Sequence, residues 1–224
     1  TLIGSMNTPA AQRTFDGTKH CGFYTQDDVR EVVAYSAERH ITVVPEIEMP
    51  GHSQAAVAAY PHLGVRTDTT VGVLQQWGVS PFILNADDST IQFMQDVLRE
   101  VLALFPGPYI HIGGDEAVKD QWKASPQIQA RIKALGLKDE HELQSWFIRQ
   151  MDTFLTAQGR RLVHVECSPP SHPAVGLLAV DRHGAGIHLG HGRPNGVSVA
   201  RRAPSGRPRS EEHTSELQSR LHLV

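Results

Sequence analysis

Apolar residues recur at helical spacing in three stretches of the chain, and each stretch leads into a short, mostly apolar run. In the first, Val29, Val32, Val33 and Ala37 share one helical face behind Thr25-Gln26-Asp27-Asp28. Thr25 stands at an N-cap position and Asp28 completes a Thr-x-x-acid pattern, so a helix is predicted over about residues 26–39. Ile41-Thr42-Val43-Val44-Pro45-Glu46-Ile47-Glu48 follows and reads as a strand buried on both faces. In the second, Asp88-Ser89 precedes Ile91, Met94, Val97, Leu98, Val101 and Leu102, which stop at Pro106-Gly107-Pro108 before a strand at Tyr109-Ile110-His111-Ile112. In the third, Leu143, Phe147, Met151, Phe154 and Leu155 mark a helix ending near Gly159, with a strand beginning at Arg161-Leu162-Val163. Three helix-then-strand units with apolar strands predict a parallel sheet covered by helices, an α/β fold. The polar residues of interest follow the strands, on the edge where such folds build their sites.

Composition changes this picture in one respect. All fourteen aromatic residues lie between Phe15 and Phe154, and no Lys follows Lys138, so the last third is a poor candidate for a packed half-domain. A formal charge of -3 provides no basic field for nucleic acid. Two cysteines cannot form a disulfide framework, and no apolar run approaches the ~20 residues of a membrane-spanning helix, so neither nucleic acid nor membrane is expected as a partner. The first residues, Thr-Leu-Ile-Gly-Ser-Met, lack the basic flank and long apolar stretch of a signal peptide and read as an internal cut, which leaves the compartment open.

The sharpest chemical feature is His111-Ile112-Gly113-Gly114-Asp115-Glu116. Two glycines clear side chains from the strand end, so the chain can turn tightly and a ligand can approach the backbone. The two carboxylates are expected to point in different directions, as successive residues of an extended chain do, and so to serve different parts of a substrate. They could instead simply cap a following helix. Glu46, Glu48 and His52 make a second polar cluster, with Glu46 and Glu48 on one strand face. Together with His111, Asp115 and Glu116, these carboxylates also have the ligand character of a divalent-metal site in a β/α-barrel isomerase or lyase.

The runs Gly22-Phe23-Tyr24-Thr25-Gln26-Asp27-Asp28, Ala37 through His52, and His111 through Glu116 resemble the catalytic barrel of family 20 β-N-acetylhexosaminidases over about residues 1–163. The resemblance implies a partial (β/α)8 barrel with about three β/α units present. It also implies hydrolysis of terminal β-linked N-acetylglucosamine or N-acetylgalactosamine on glycans or glycoconjugates, without cofactor or metal. This family departs from the two-carboxylate glycosidase scheme, because the sugar's own 2-acetamido oxygen attacks the anomeric carbon and forms an oxazolinium ion. On that reading Glu116 is the general acid and base, and Asp115 orients the acetamido group. His52 and His111 match positions around the sugar, and His52 joins a hydrogen-bond network that tunes the acid. Glu48 stands where the family more often has Asp. Trp122 is a candidate sugar platform, while Trp146 lies on an apolar helix face and reads as core.

The resemblance stops within a motif. After Arg160-Arg161-Leu162-Val163 the family continues Gly-Trp-Asp-Glu, whereas this chain reads His164-Val165-Glu166-Cys167-Ser168-Pro169-Pro170. Residues 164–224 therefore read as a frameshifted tail, expected to be disordered, and Arg209 through Ser219 resembles a translated sequencing adapter. With so few strands, the sheet is expected to keep open edges and the chain on its own to be inactive. A non-catalytic carbohydrate-binding remnant is the third reading.

Overall fold

The computed structural model describes residues 2–3, 14–18, 21–66, 68–75, 78–165, 177–180 and 186–189. Leu2–Ile3 (β1) and Thr14–Phe15 (β2) pair antiparallel. The three predicted helices are present as Gln26–Ala37 (α1), Asp88–Leu104 (α3) and Glu140–Ala157 (α6). The capping box of α1 is complete: Asp28 N–H donates to Thr25 Oγ1 at 3.2 Å and Thr25 N–H donates to Asp28 Oδ2 at 2.7 Å. The N-cap of α3 is Asp87, one residue ahead of the expected Asp88-Ser89, because Asp87 Oδ1 accepts the Thr90 N–H at 2.7 Å.

α3 leads into Tyr109–His111 (β3) and α6 into Arg161–Val165 (β4), which pair in parallel with Ile110 opposite Leu162. The run at residues 41–48 differs from its prediction. It lies parallel to the other edge of β3, with His111 N–H donating to Pro45 O at 2.9 Å and Ile47 N–H to His111 O at 2.9 Å. Its far edge has no strand partner among the described residues, and Ile41 and Val44 are 52% and 44% exposed. An apolar strand is buried on both faces only where neighbours cover it. The parallel centre of the molecule is thus this segment, β3 and β4, each preceded by a helix.

Four shorter helices went unpredicted: Gln54–Ala59 (α2), a 3-10 turn at Pro61–Leu63, Asp120–Ala124 (α4) and Pro126–Ala134 (α5). Beyond β4, Leu177–Val180 (β5) and Gly186–Leu189 (β6) extend the sheet as antiparallel strands. They depart from the disorder expected of the tail. Leu177-Leu178-Ala179-Val180 is an apolar run, and the outer edge of β4 offers main-chain donors and acceptors for it to pair with. The rest of the tail, Cys167 and the adapter-like segment included, lies outside the described residues.

One core unites the helices and the sheet. Leu98 of α3, Ile110 and Ile112 of the β3 strand and its exit, and Leu143, Phe147, Met151 and Leu155 of α6 are fully buried. Met49, Leu63, Ile83, Leu84 and Trp122 continue it beneath the carboxyl ends of the strands. Among the described residues no helix is long and apolar enough to cross a membrane.

Candidate active site

Two segments leave the carboxyl edge of the sheet side by side. Met49 N–H donates to Ile112 O at 3.1 Å and Val165 N–H to Gly113 O at 2.7 Å, so Gly113 is held between its neighbours as the chain begins to turn. Gly113 has φ +63, and a Cβ built on it would lie 1.7 Å from Glu48 Oε2. Only glycine lets the Glu48 carboxyl rest against this backbone. Gly51 makes the second close approach, where a Cβ would come within 2.9 Å of Asp115 O. The turn at residues 49–52 is therefore packed directly on the loop at 115–117.

That packing brings His52 onto Glu116. His52 Nε2 lies 3.3 Å from Glu116 Oε2, with the Glu116 side chain 55% exposed and therefore open to a ligand. One ligating atom from each of His52, Asp115 and Glu116 falls within 4.8 Å of the others. The two carboxylates thus converge, contrary to the expectation that they diverge. Alternation holds for extended backbone, whereas Glu116 has φ +47 and Asp115 does not continue the strand. Neither carboxylate caps a helix: α4 begins at Asp120 with Lys119 at its N-cap and no side-chain cap.

Glu46 and Glu48 do come together, as their shared face predicts. Glu48 sits partly buried, and its carboxyl is pushed up from 4.5 to about 7, first by loss of solvent and then by the charges of Asp115 and Glu46. A hydrogen bond with Glu46 adds to this and the nearby His111 opposes it. Two carboxyl groups share a hydrogen bond only when one carries a proton. Glu48 Oε2 is buried with no hydrogen-bond partner among the described residues, which also favours the protonated form. His111 is buried beside them. Its Nδ1 accepts the Gly113 N–H at 3.1 Å and lies 2.9 Å from Glu46 Oε1. That nitrogen can serve Gly113 when unprotonated or donate to Glu46 when it carries its proton, but not both.

Trp122 is not a sugar platform. It is fully buried and its Nε1–H donates to Leu84 O at 2.9 Å, which makes it core. Trp146 is half-buried against the core as expected, with the Arg131 guanidinium 5.0 Å from its ring centre. Two residues not singled out from the sequence reach the site loop, Lys119 and Gln144. Gln144 interrupts the apolar stripe of α6 and is itself buried. Glu46, Glu48, His111, Asp115 and Glu116 do not gather as one ligand set; among the described residues the group that could hold a cation is His52, Asp115 and Glu116.

The family model for the catalytic domain of glycosyl hydrolase family 20 matches residues 3–166. The β-hexosaminidase of Porphyromonas gingivalis is 49% identical over 165 residues, 73% of this chain and 20% of that protein. A β-hexosaminidase of Vibrio furnissii is 44% identical over 146 residues, 65% of this chain and 24% of that one. The crystal structure of a β-N-acetylhexosaminidase from Bacteroides fragilis superposes with a TM-score of 0.58 at 45% identity, covering 64% of this chain and 27% of that one. An exo-β-N-acetylglucosaminidase from Vibrio harveyi, solved with N-acetylglucosamine bound, superposes at 0.57 with 38% identity over 68% of this chain and 23% of that one. The chain thus spans about a fifth to a quarter of the length of these relatives.

Proposed function

From a chain that belongs to glycosyl hydrolase family 20, we propose an activity: cleavage of terminal, non-reducing β-linked N-acetylhexosamine residues from glycans or glycoconjugates, with retention of configuration. The observation that carries this reading is the convergence of His52, Asp115 and Glu116 on one open face within the family-matched segment. Glu116 donates its proton to the glycosidic oxygen as the C1–O bond breaks, and the acetamido carbonyl oxygen of the same sugar attacks C1. The Asp115 carboxylate accepts a hydrogen bond from the acetamido N–H and stabilises the positive charge of the oxazolinium ring. Glu116, now ionised, takes a proton from water as that water attacks C1 and opens the ring. His52 holds the Glu116 carboxylate through the 3.3 Å contact. A protonated Glu48 keeps a further negative charge away from Asp115. His111 supports the Gly113 turn or Glu46, according to whether its Nδ1 is unprotonated or carries its proton.

The segment is part of a (β/α)8 barrel, with α1, α3 and α6 and the strands that follow them as three of its units. Eight parallel strands close such a barrel. Residues 164–224 form a non-native tail, and two features support a break close to this point: the family match ends two residues further on, at residue 166, and the strand on the outer edge of β4 is antiparallel. Genomic reads running without a break across the codons for 160–224 would remove this part of the proposal. On its own the chain turns over little substrate, because the remaining walls of the sugar pocket come from other strands.

The test is a graft. Residues 3–166 replace the matching segment of the Porphyromonas gingivalis relative, and release of a chromophore from an aryl N-acetyl-β-glucosaminide is followed for the graft and for the 224-residue chain. Turnover by the graft that is lost in Glu116→Gln supports the proposal. Turnover unaffected by Glu116→Gln would refute it, and sugar affinity without turnover in the graft would favour a carbohydrate-binding role.

A further inference from the structure

Asp115 and Glu116 lie between two main-chain carbonyls, those of Gly114 and Ala117, and both carbonyls are held by the same pair of side chains. Gln144 Nε2–H donates to Gly114 O at 2.5 Å. The Gln144 Oε1 accepts a hydrogen bond from Lys119 Nζ, and the same ammonium donates to Ala117 O at 2.6 Å. The circuit is closed: helix α6, Gly114, the two carboxylates, Ala117, Lys119 and back to Gln144. It also fixes the amide orientation, since only a nitrogen can donate to Gly114 O and only an oxygen can accept from an ammonium.

This arrangement is costly unless it is satisfied. Gln144 is 6% exposed beside the fully buried Leu143 and Phe147, where an unbonded amide would be strongly unfavourable. Glu116 is held at φ +47, a conformation that residues with a Cβ adopt only when their surroundings enforce it. The enforced conformation is also the one that turns the Glu116 carboxylate toward His52 and Asp115.

We infer that Gln144 and Lys119 are positioning residues that hold the Asp115-Glu116 turn in its left-handed form and so aim the proton of Glu116 at the leaving oxygen. The inference rests on Glu116 being the general acid. It makes a demand that a purely structural role does not. A misaimed acid slows substrates whose leaving group must be protonated and spares those whose leaving group departs as an anion.

The experiment measures kcat and KM of the graft on a phenyl and on a 2,4-dinitrophenyl N-acetyl-β-glucosaminide. Gln144→Leu and Lys119→Met are expected to lower kcat/KM, which reports cleavage of the C1–O bond and not the later attack of water, about 10- to 100-fold on the phenyl substrate and less than about threefold on the dinitrophenyl one. Lys119→Arg, which keeps a cationic multiple donor at this position, is expected to retain most of the phenyl rate. Equal losses on both substrates, or none, would overturn the inference. Glu116→Gln separates it from the reading beneath it. If Glu116→Gln shows the leaving-group dependence and Gln144→Leu does not, only the positioning role falls; if Glu116→Gln leaves the phenyl rate intact, the acid assignment falls. In the 224-residue chain itself, the Cα and Cβ chemical shifts of Glu116 are expected to move from left-handed toward ordinary values in Gln144→Leu. Unchanged shifts would overturn the inference even if the grafted variants fail to fold.

Discussion

Replacing Glu48 by Gln removes a carboxyl whose burial and charged neighbours together work against its ionisation. In the folded chain that carboxyl titrates at about 7, against 4.5 when free. At about 1.4 kcal/mol per pH unit, that difference corresponds to roughly 3 kcal/mol. Glu48 retains some contact with solvent, so about 1–2 kcal/mol is expected after screening. The sign follows from proton binding. Below pH 4.5 the group is protonated in both folded and unfolded chains and contributes nothing. Between 4.5 and 7 the unfolded chain loses the proton while the folded chain keeps it, so stability falls as pH rises. Above 7 both are ionised and the penalty is constant. Urea midpoints of the 224-residue chain, measured from pH 4 to pH 8, should therefore decline through this window. Glu48→Gln should match the parent near pH 4 and exceed it by about 1–2 kcal/mol at pH 8 if the slope m is unchanged. Midpoints for Glu48→Gln that track the parent across the whole range would refute the burial and charge argument.

Three further outcomes are expected. Trp122→Phe removes the hydrogen bond to Leu84 O and leaves a void in the core beneath the site, which should cost about 2–3 kcal/mol in urea unfolding; a cost under about 0.5 kcal/mol would return Trp122 to the surface. Gly113→Ala places a methyl where the Glu48 carboxyl now sits, so it should destabilise the chain by about 2 kcal/mol or more, and the double variant with Glu48→Ala should recover over half of that loss; purely additive effects would contradict the close approach. Prolonged chelator treatment should leave turnover of the graft unchanged, whereas loss restored by a divalent cation would point to an ion at His52, Asp115 and Glu116.

The long helices were legible because several signals agreed in each. α1 combines Thr25, Asp28 and a valine stripe, and α6 combines a long apolar face with a stop near Gly159; the Asp139 side chain that accepts two backbone N–H groups at 2.9 Å at its start was not read from the sequence. α5 carried a readable start in Ser125-Pro126 with Ile128 and Ile132 one turn apart, but it buries only those two residues and its pattern is short. The site was legible as a list and not as an arrangement. Glu46 and Glu48 follow strand alternation and meet. Asp115 and Glu116 do not, because the conformation of Glu116 is imposed by groups distant in sequence, Gln144 among them, 30 residues from the Gly114 carbonyl it holds. Trp122 was ambiguous for the same reason, since its partner Leu84 lies 38 residues away. A buried glutamine within the stripe Leu143, Phe147, Met151 is the one sequence signal that could have pointed to the clamp.

If the sugar's own acetamido group is the nucleophile, with Asp115 and Glu116 of this segment as its aids, the rate must follow the electron density on its carbonyl oxygen. The direct measurement is the kcat of the graft on two aryl glycosides that differ only in carrying an acetamido or a trifluoroacetamido group. Fluorine withdraws electron density from the attacking carbonyl oxygen, so kcat should fall at least about tenfold, a barrier increase of about 1.4 kcal/mol or more. Equal values of kcat for the two substrates would mean that the nucleophile comes from elsewhere, and the assignment of Asp115 and Glu116 would fail.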